Sequence, residues 1–296
     1  MTSNIKAHLA LLGANIIYGI NYTVAKDVMP EFISPFGFIF CRVTGALFLF
    51  WLVFAFSYEK IAKKDLLLLA VCGLFGVAAN QLMFFHGLNL TTPINAGIIM
   101  TSNPVFVLIA SALILKNRIT FLKVGGILIA ITGALLLLLF KNNFSFGSET
   151  IEGDIFIFLN ALSYGTYLVL AVPLMKKYKP LTVITWVFTF GFIYVFPFGV
   201  KEFSQINWSS FNATIWGEFA FVIIGTTFFA YLLNIYGLKN LSPSTVSTYI
   251  YLQPLLASIF AIYAGKDQLD WIKVIAAILI FSGVYLVSKR VKPVKS

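Results

Sequence analysis

Charged residues are scarce in this sequence. Only 11% of its 296 residues are Asp, Glu, Lys or Arg, whereas 59% are hydrophobic. A water-soluble protein of this composition would lack the polar surface that keeps it in solution, so the composition excludes that class. Apolar segments of about 20 residues, long enough to cross the hydrocarbon core of a bilayer, recur along the chain. The sequence therefore predicts an all-α integral membrane protein.

Cysteine is nearly absent. The two cysteines, Cys41 and Cys72, both fall inside apolar segments. They provide neither a disulfide framework nor the spacing of a metal site. We expect both to be small buried residues, and we expect no metal and no cofactor.

Acidic residues are missing from the centres of the apolar segments. Asp154 and Glu218 lie near segment ends, so a carboxylate proton relay of the kind that pumps use is not expected. The chain also lacks HExxH, GxSxG and a glycine-rich phosphate loop. Because no nucleophile with a base and no metal set is present, we do not expect an enzyme.

Ten apolar segments are predicted to span the membrane. Their estimated bounds are 8–28, 34–56, 66–88, 92–115, 119–140, 154–175, 181–203, 215–238, 242–264 and 270–288. The net charge of +10 does not indicate a nucleic-acid partner, because Lys and Arg lie mostly in short connections and form no stripe among exposed aromatics. The predicted partners are the lipid bilayer and a small-molecule substrate, and the protein is expected to be a monomer or a weak homo-oligomer.

The distribution of positive charge predicts the orientation. Most of the 21 Lys and Arg residues lie on one side if the N-terminus is inside. Only Lys26, Lys141, Lys201, Lys266 and Lys273 then lie outside, and Arg42 lies within a span. Because positive residues concentrate on the cytoplasmic side, both termini are predicted to be cytoplasmic in a multi-pass protein of the cell membrane.

The sequence repeats itself after 150 positions. Residues 87–104 (GLNLTTPINAGIIMTSNP) align with 237–254 (GLKNLSPSTVSTYIYLQP), and three Gly and Pro positions coincide. The repeat predicts two five-helix units, residues 1–145 and 146–296, joined by the linker KNNFSFGSETIEGD. Because five is odd, the second unit must insert in the opposite direction. Inverted repeats of this kind are typical of secondary transporters.

Each repeat carries a proline near the middle of its fourth span. These are Asn103–Pro104 and Gln253–Pro254. Proline displaces the carbonyl four residues earlier, those of Met100 and Ile250, and in hydrocarbon such a carbonyl is costly unless it faces water or a polar neighbour. Either the two prolines kink their helices for packing alone, or they act as hinges beside a central cavity. Their matched placement favours the cavity.

Polar side chains inside the predicted spans are further candidates for substrate binding, because polar faces in a membrane normally point into the helix bundle. The first, sixth and ninth spans each carry Tyr with Asn, Ser or Thr at helical spacing. Arg42 either pairs with Asp27 or Glu31 or presents its guanidinium to an anionic group of the substrate. The predicted substrate-binding residues are Asn15, Tyr18, Asn21, Tyr22, Arg42, Gln81, Asn103, Tyr164, Tyr167, Trp186, Tyr231, Tyr249 and Gln253.

The sequence around several of these residues resembles that of the EamA family of the drug/metabolite transporter superfamily. The segment YGINYTVAK is similar to the family's opening motif at Tyr18, Gly19, Asn21 and Lys26, and Arg42 matches the family's second-span arginine. The paired repeat and its mid-span prolines also fit. One departure is that Lys116–Asn117 stands where the family usually has Gly-Glu, whereas the second repeat keeps an acid at Asp267. The resemblance implies ten spans, cytoplasmic termini and export of amino acids or other small metabolites, and relatives in the wider superfamily exchange nucleotide sugars or sugar phosphates.

The predicted function is secondary transport of small metabolites by alternating access, with export of an amino acid or related metabolite across a bacterial inner membrane. An aromatic and amide lining suits a zwitterion with an apolar side chain. A phosphate would need several deep Arg or Lys residues, and only Arg42 and Lys26 are near. An exchanger of another small organic solute, of the sugar phosphate or nucleotide sugar class, and a passive channel remain alternatives.

Overall fold

The computed structural model describes residues 3–29, 31–139, 150–263 and 270–289, and every regular element in these ranges is helical. The first part of the chain contains α1 (Ser3–Val28), α2 (Pro35–Ala55), α3 (Leu66–Gly73), α4 (Ala79–Leu90), α5 (Pro93–Met100), α6 (Asn103–Leu115) and α7 (Phe121–Leu139). The second part contains α8 (Ile151–Leu170), α9 (Val172–Lys177), α10 (Pro180–Phe203), α11 (Ala213–Ala220), α12 (Ala230–Asn240), α13 (Pro243–Thr248), α14 (Leu252–Tyr263) and α15 (Trp271–Ser288). Most of the predicted linker, and Asp267, lie outside the described residues.

Seven stretches within the described ranges are long and apolar enough to cross a membrane. They are Pro35–Ala55, Lys63–Leu90, Asn95–Leu115, Ile151–Lys177, Pro180–Phe203, Ala213–Asn240 and Trp271–Ser288, and Phe121–Leu136 is a shorter apolar helix. These stretches coincide with eight of the predicted spans. The first and ninth predicted spans are also helical, as α1 and α13–α14, although they do not meet the same criterion. The prediction of an all-helical, multi-pass membrane protein is confirmed.

Five of the predicted spans are interrupted rather than uniform α-helices, and the sixth span is one of them because it breaks at Ala171, between α8 and α9. The third and eighth contain π-helical segments, Leu74–Ala78 and Phe221–Phe229. The fourth breaks between α5 and α6, and the ninth passes through a 3₁₀ turn at Tyr249–Tyr251. Proline explains the break in the fourth span. Pro104 occupies the second position of α6, where its missing N–H removes no hydrogen bond within the helix.

Two glutamates cap the antiparallel helices α2 and α10 crosswise. Glu202, in the last turn of α10, accepts hydrogen bonds from the Ser34 hydroxyl at 2.5 Å and the Gly37 N–H at 2.8 Å at the start of α2. Glu59, which follows α2, accepts one from the Lys179 N–H at 2.9 Å at the start of α10. Both carboxylates thus sit at helix N-termini, where unpaired N–H groups and the helix dipole favour negative charge. A carboxylate thus stabilises the contact between α2 and α10 at each end of this helix pair.

Small residues bring α7 and α15 into close contact. A Cβ atom at Gly283 of α15 would lie 2.5 Å from the backbone oxygen of Gly126 and 2.6 Å from the Cβ of Ala130 in α7. A side chain at position 283 would therefore force the helices apart. Gly126 and Ala130 form a small-residue face of the kind that lets membrane helices approach closely. Cys41 and Cys72 are buried elsewhere in the bundle, which confirms their predicted environment.

Candidate functional site

A polar cavity lies in the middle of the bundle. The space between its lining atoms, counted out to its mouth and including open solvent, is about 780 Å³. Its lining comprises Asn15, Tyr18, Asn21, Arg42, Asn80, Gln81, Phe84, Phe85, Met100, Asn160, Tyr164, Thr226, Tyr231, Asn234, Val246, Ser247, Ile250 and Gln253. Amide and tyrosine side chains dominate this set. Among the described lining residues there is one cation and no carboxylate.

Most of the predicted binding residues meet in this cavity. Eight of them line it, namely Asn15, Tyr18, Asn21, Arg42, Gln81, Tyr164, Tyr231 and Gln253. Asn80, Asn160 and Asn234 are further polar lining residues that the predicted set did not include. The rule that amides inside a membrane face the bundle interior applies to all three.

The structure places four other predicted residues outside the lining. The fully buried Asn103 donates from Nδ2 to the Ala161 carbonyl of α8 at 2.7 Å. The Tyr249 hydroxyl lies 2.7 Å from Nδ1 of His8. Tyr167 packs its ring against Gly76, and the ring of Trp186 lies 5.7 Å from that of Trp51. The side chain of Tyr22 lies outside the described residues.

The backbone breaks of the fourth and ninth spans border the cavity. Met100 and Ile250, the residues four positions before the two prolines, both contribute to the lining. The two breaks also touch each other, because the Tyr251 hydroxyl donates to the Thr101 carbonyl at 2.9 Å. The prolines therefore lie beside a polar space, as the second of the two sequence alternatives expects.

Equivalent positions of the sequence repeat meet at the cavity. Gln81 and Tyr231 are 150 positions apart, and Nε2 of Gln81 lies 3.4 Å from the Tyr231 hydroxyl. Thr101 and Tyr251 are also 150 positions apart and share the hydrogen bond just described.

Arg42 is deeply buried in the cavity wall. Only 3% of its surface is exposed, and Nε donates to the Thr227 hydroxyl at 3.0 Å. No carboxylate pairs with Arg42 among the described residues, and Asp27 and Glu31 are exposed. The predicted alternative in which Arg42 reaches outward to one of these two acids is therefore wrong, because its guanidinium stays inside the bundle.

Several buried polar atoms of the lining lack a hydrogen-bond partner among the residues that the structure describes. They are Nη1 of Arg42, the amide oxygens of Asn21, Gln81 and Asn160, and the hydroxyl of Thr226. Leaving a buried donor or acceptor unpaired costs about 1–3 kcal/mol. A cluster of such atoms around one space is the arrangement of a ligand site.

The two equivalent pairs of helices beside the cavity pack to different extents. All six residues of α13 are buried, and α13 packs against α6. The equivalent helices at the opposite end are α5 and α14, and they make only marginal contact in the parts that the structure describes. Gly97, Ile98 and Ile99 of α5 are correspondingly only half-buried.

The fold and the site together define a class of protein. An all-helical, multi-pass membrane protein with polar residues around a central cavity has the architecture of a membrane transporter. The EamA-like transporter family matches this chain twice, over residues 5–139 and 151–289. The chain belongs to that family, which confirms the resemblance noted from its motifs.

Relatives of similar length carry transporter names. A protein of Archaeoglobus fulgidus named "Uncharacterized transporter" is 28% identical over 97% of this chain and 99% of its own. The "Uncharacterized transporter YyaM" of Bacillus subtilis is 27% identical over 96% of this chain and 94% of its own. The "WAT1-related protein At3g53210" of Arabidopsis thaliana is 24% identical over 95% and 85%.

A solved crystal structure has the same fold. It matches with a TM-score of 0.77 at 17% sequence identity, and the match covers 95% of this chain and 96% of the other. At this identity the likeness concerns the fold alone.

Proposed function

We propose that this protein is a secondary transporter that carries a small polar metabolite, an amino acid first of all, by alternating access. The observation that carries the proposal is the central cavity, which is lined by both halves of the chain and ringed by unpaired buried polar atoms. Transporters with inverted repeats bind their substrates at such a place, near the bilayer midplane between the repeats and beside broken helices.

The repeat architecture in this proposal is two inverted five-helix units with cytoplasmic termini. The two family matches and the contacts between residues 150 positions apart support the duplication. The bias of Lys and Arg supports the orientation. Relatives in Bacillus subtilis and Salmonella typhimurium support a bacterial inner membrane, where the protein would act as an exporter.

The unequal packing of the helix pairs α6–α13 and α5–α14 supports alternating access. With the proposed orientation, the packed helices α6 and α13 face the cytoplasm and the loosely packed helices α5 and α14 face outward. In an inverted repeat the two pairs are equivalent, so each pair can take up the packing of the other. The structure would then represent an outward-open state of the cycle.

An amino acid suits the lining better than a phosphate compound does. Tyr and Phe side chains offer apolar surface, and the amide oxygens can accept hydrogen bonds from an ammonium group. One arginine is too few for a sugar phosphate or a nucleotide sugar, whose phosphates are usually held by several cationic side chains.

Counterflow in proteoliposomes tests the proposal. Vesicles loaded with an unlabelled amino acid should accumulate the labelled one, with saturation and trans-stimulation. Gln253→Ala, in the cavity, should raise KM, whereas Gln205→Ala, the same change on an exposed connection, should not. Non-saturable flux with single-channel conductance would instead establish a passive channel. Absence of exchange across a broad panel of amino acids would overturn the proposal.

A further inference from the structure

We propose that Arg42 is the anion-binding residue of the cavity and that the transported substrate carries one carboxylate. This inference rests on the proposed transport function. Arg42 is the one cationic residue among the described lining residues, and it is almost fully buried without a carboxylate partner. A buried charge with no counter-ion is strongly unfavourable. An anionic substrate group would supply the missing counter-ion.

The surroundings of Arg42 hold the guanidinium and leave one edge free. The Thr227 hydroxyl donates to the Val222 carbonyl at 2.7 Å, so its oxygen can accept from Nε of Arg42 at 3.0 Å. The rings of Phe85 and Phe38 lie 4.6 Å and 5.6 Å from Cζ, at cation–π distance. Nη1 alone remains without a partner among the buried atoms of this side chain. The guanidinium is thus fixed in advance for a carboxylate, whose two oxygens match its fork of N–H groups.

The rest of the lining suits the other end of an α-amino acid. The amide oxygens of Asn21, Gln81 and Asn160 are buried and have no hydrogen-bond partner among the described residues, and all three residues line the same cavity. An ammonium group has three donors and no acceptor, so it can satisfy such oxygens without a carboxylate. An amine without a carboxylate would instead place a second positive charge beside Arg42. The proposed substrate is therefore a zwitterionic amino acid with an uncharged side chain.

A matched set of three compounds tests this inference on the wild-type protein. Leucine carries both charged groups, 3-methylbutylamine lacks the carboxylate, and 4-methylpentanoate lacks the ammonium. In counterflow, leucine should be exchanged, the amine should be exchanged at least tenfold less well, and the acid should be intermediate. If the amine is exchanged as well as leucine, the inference is overturned while the transport function stands. If none of the three compounds and no other amino acid is exchanged, the proposed function fails as well.

Substitution of Arg42 supplies the second readout. Arg42→Gln should lower exchange of leucine on the order of tenfold to a hundredfold and should abolish the preference for leucine over the amine. Arg42→Lys keeps the charge and should keep that preference with weaker binding, because lysine lacks the planar fork. Arg118→Gln is the matched control, since Arg118 is exposed on a connection. An Arg42→Gln protein that is folded and retains the wild-type preference would refute the assignment. If that variant does not fold, the wild-type compound series and Arg42→Lys decide the question.

Discussion

Gly283→Ala should loosen the contact between α7 and α15. The new methyl carbon would lie 2.6 Å from the Cβ of Ala130 and 2.5 Å from the carbonyl oxygen of Gly126, whereas two carbon atoms pack best at about 3.5–4.0 Å. These atoms belong to backbone or to a Cβ and cannot rotate away, so the helices must separate by about 1 Å. Overpacking of this kind costs about 1–3 kcal/mol, and the higher helix propensity of alanine returns less than about 1 kcal/mol. We expect a net loss of about 1 kcal/mol.

The measurement is thermal stability in detergent, read as the loss of the monodisperse peak after heating. A loss of about 1 kcal/mol corresponds to roughly 2–4 °C if unfolding scales as in soluble domains of 150–250 residues. Gly125→Ala is the matched control on α7, because no atom lies within 4 Å of a Cβ built there. Equal melting temperatures for the two variants would refute the close packing of α7 and α15.

Three further predictions concern helix ends and Asn103. Lys116→Gly should increase the free energy of unfolding by up to about 1 kcal/mol and so raise the melting temperature, because Lys116 ends α6 at φ 55°, where glycine has no steric cost. A lower melting temperature would contradict this. Glu202→Gln should lower the free energy of unfolding by about 1 kcal/mol, because the Ser34 hydroxyl would then donate to a neutral acceptor. An unchanged melting temperature would contradict a stabilising role of Glu202 at the start of α2. Asn103→Ala should lower the free energy of unfolding by about 1 kcal/mol, because the hydrogen bond to Ala161 is lost, and it should leave KM unchanged in counterflow. A raised KM without lost stability would show that Asn103 contributes to substrate binding.

The positions of the helices could be predicted from the sequence because the bilayer fixes the length of an apolar segment. The interruptions within them could be predicted only where proline marks them, as at Pro104. The π-helical segment Leu74–Ala78 contains no such residue. It changes the helical register of every residue that follows, so the face on which Asn80 lies could not be derived from a period of 3.6 residues.

Only some of the residues that line the cavity could be predicted from the sequence. The rule that polar residues face the interior of a membrane protein identified Gln81 and Tyr231 as interior residues, and it left two alternatives open for Arg42. It could not separate a residue that lines a cavity from one that is satisfied by a neighbouring helix. Asn103 does not line the cavity, because its Nδ2 donates to the Ala161 carbonyl of α8, whose position depends on tertiary packing; its Oδ1 has no partner among the described residues.

Thiol labelling at the two backbone breaks tests most directly whether these breaks border a hydrated substrate cavity. Met100→Cys and Ile250→Cys should react with a charged, water-soluble methanethiosulfonate reagent, and an exchanged amino acid should slow the reaction. Ile259→Cys, on the exposed surface of α14, should remain unreactive in a bilayer, as should the wild-type protein with its buried cysteines. Unreactive cysteines at both breaks, or labelling that no substrate slows, would contradict the account.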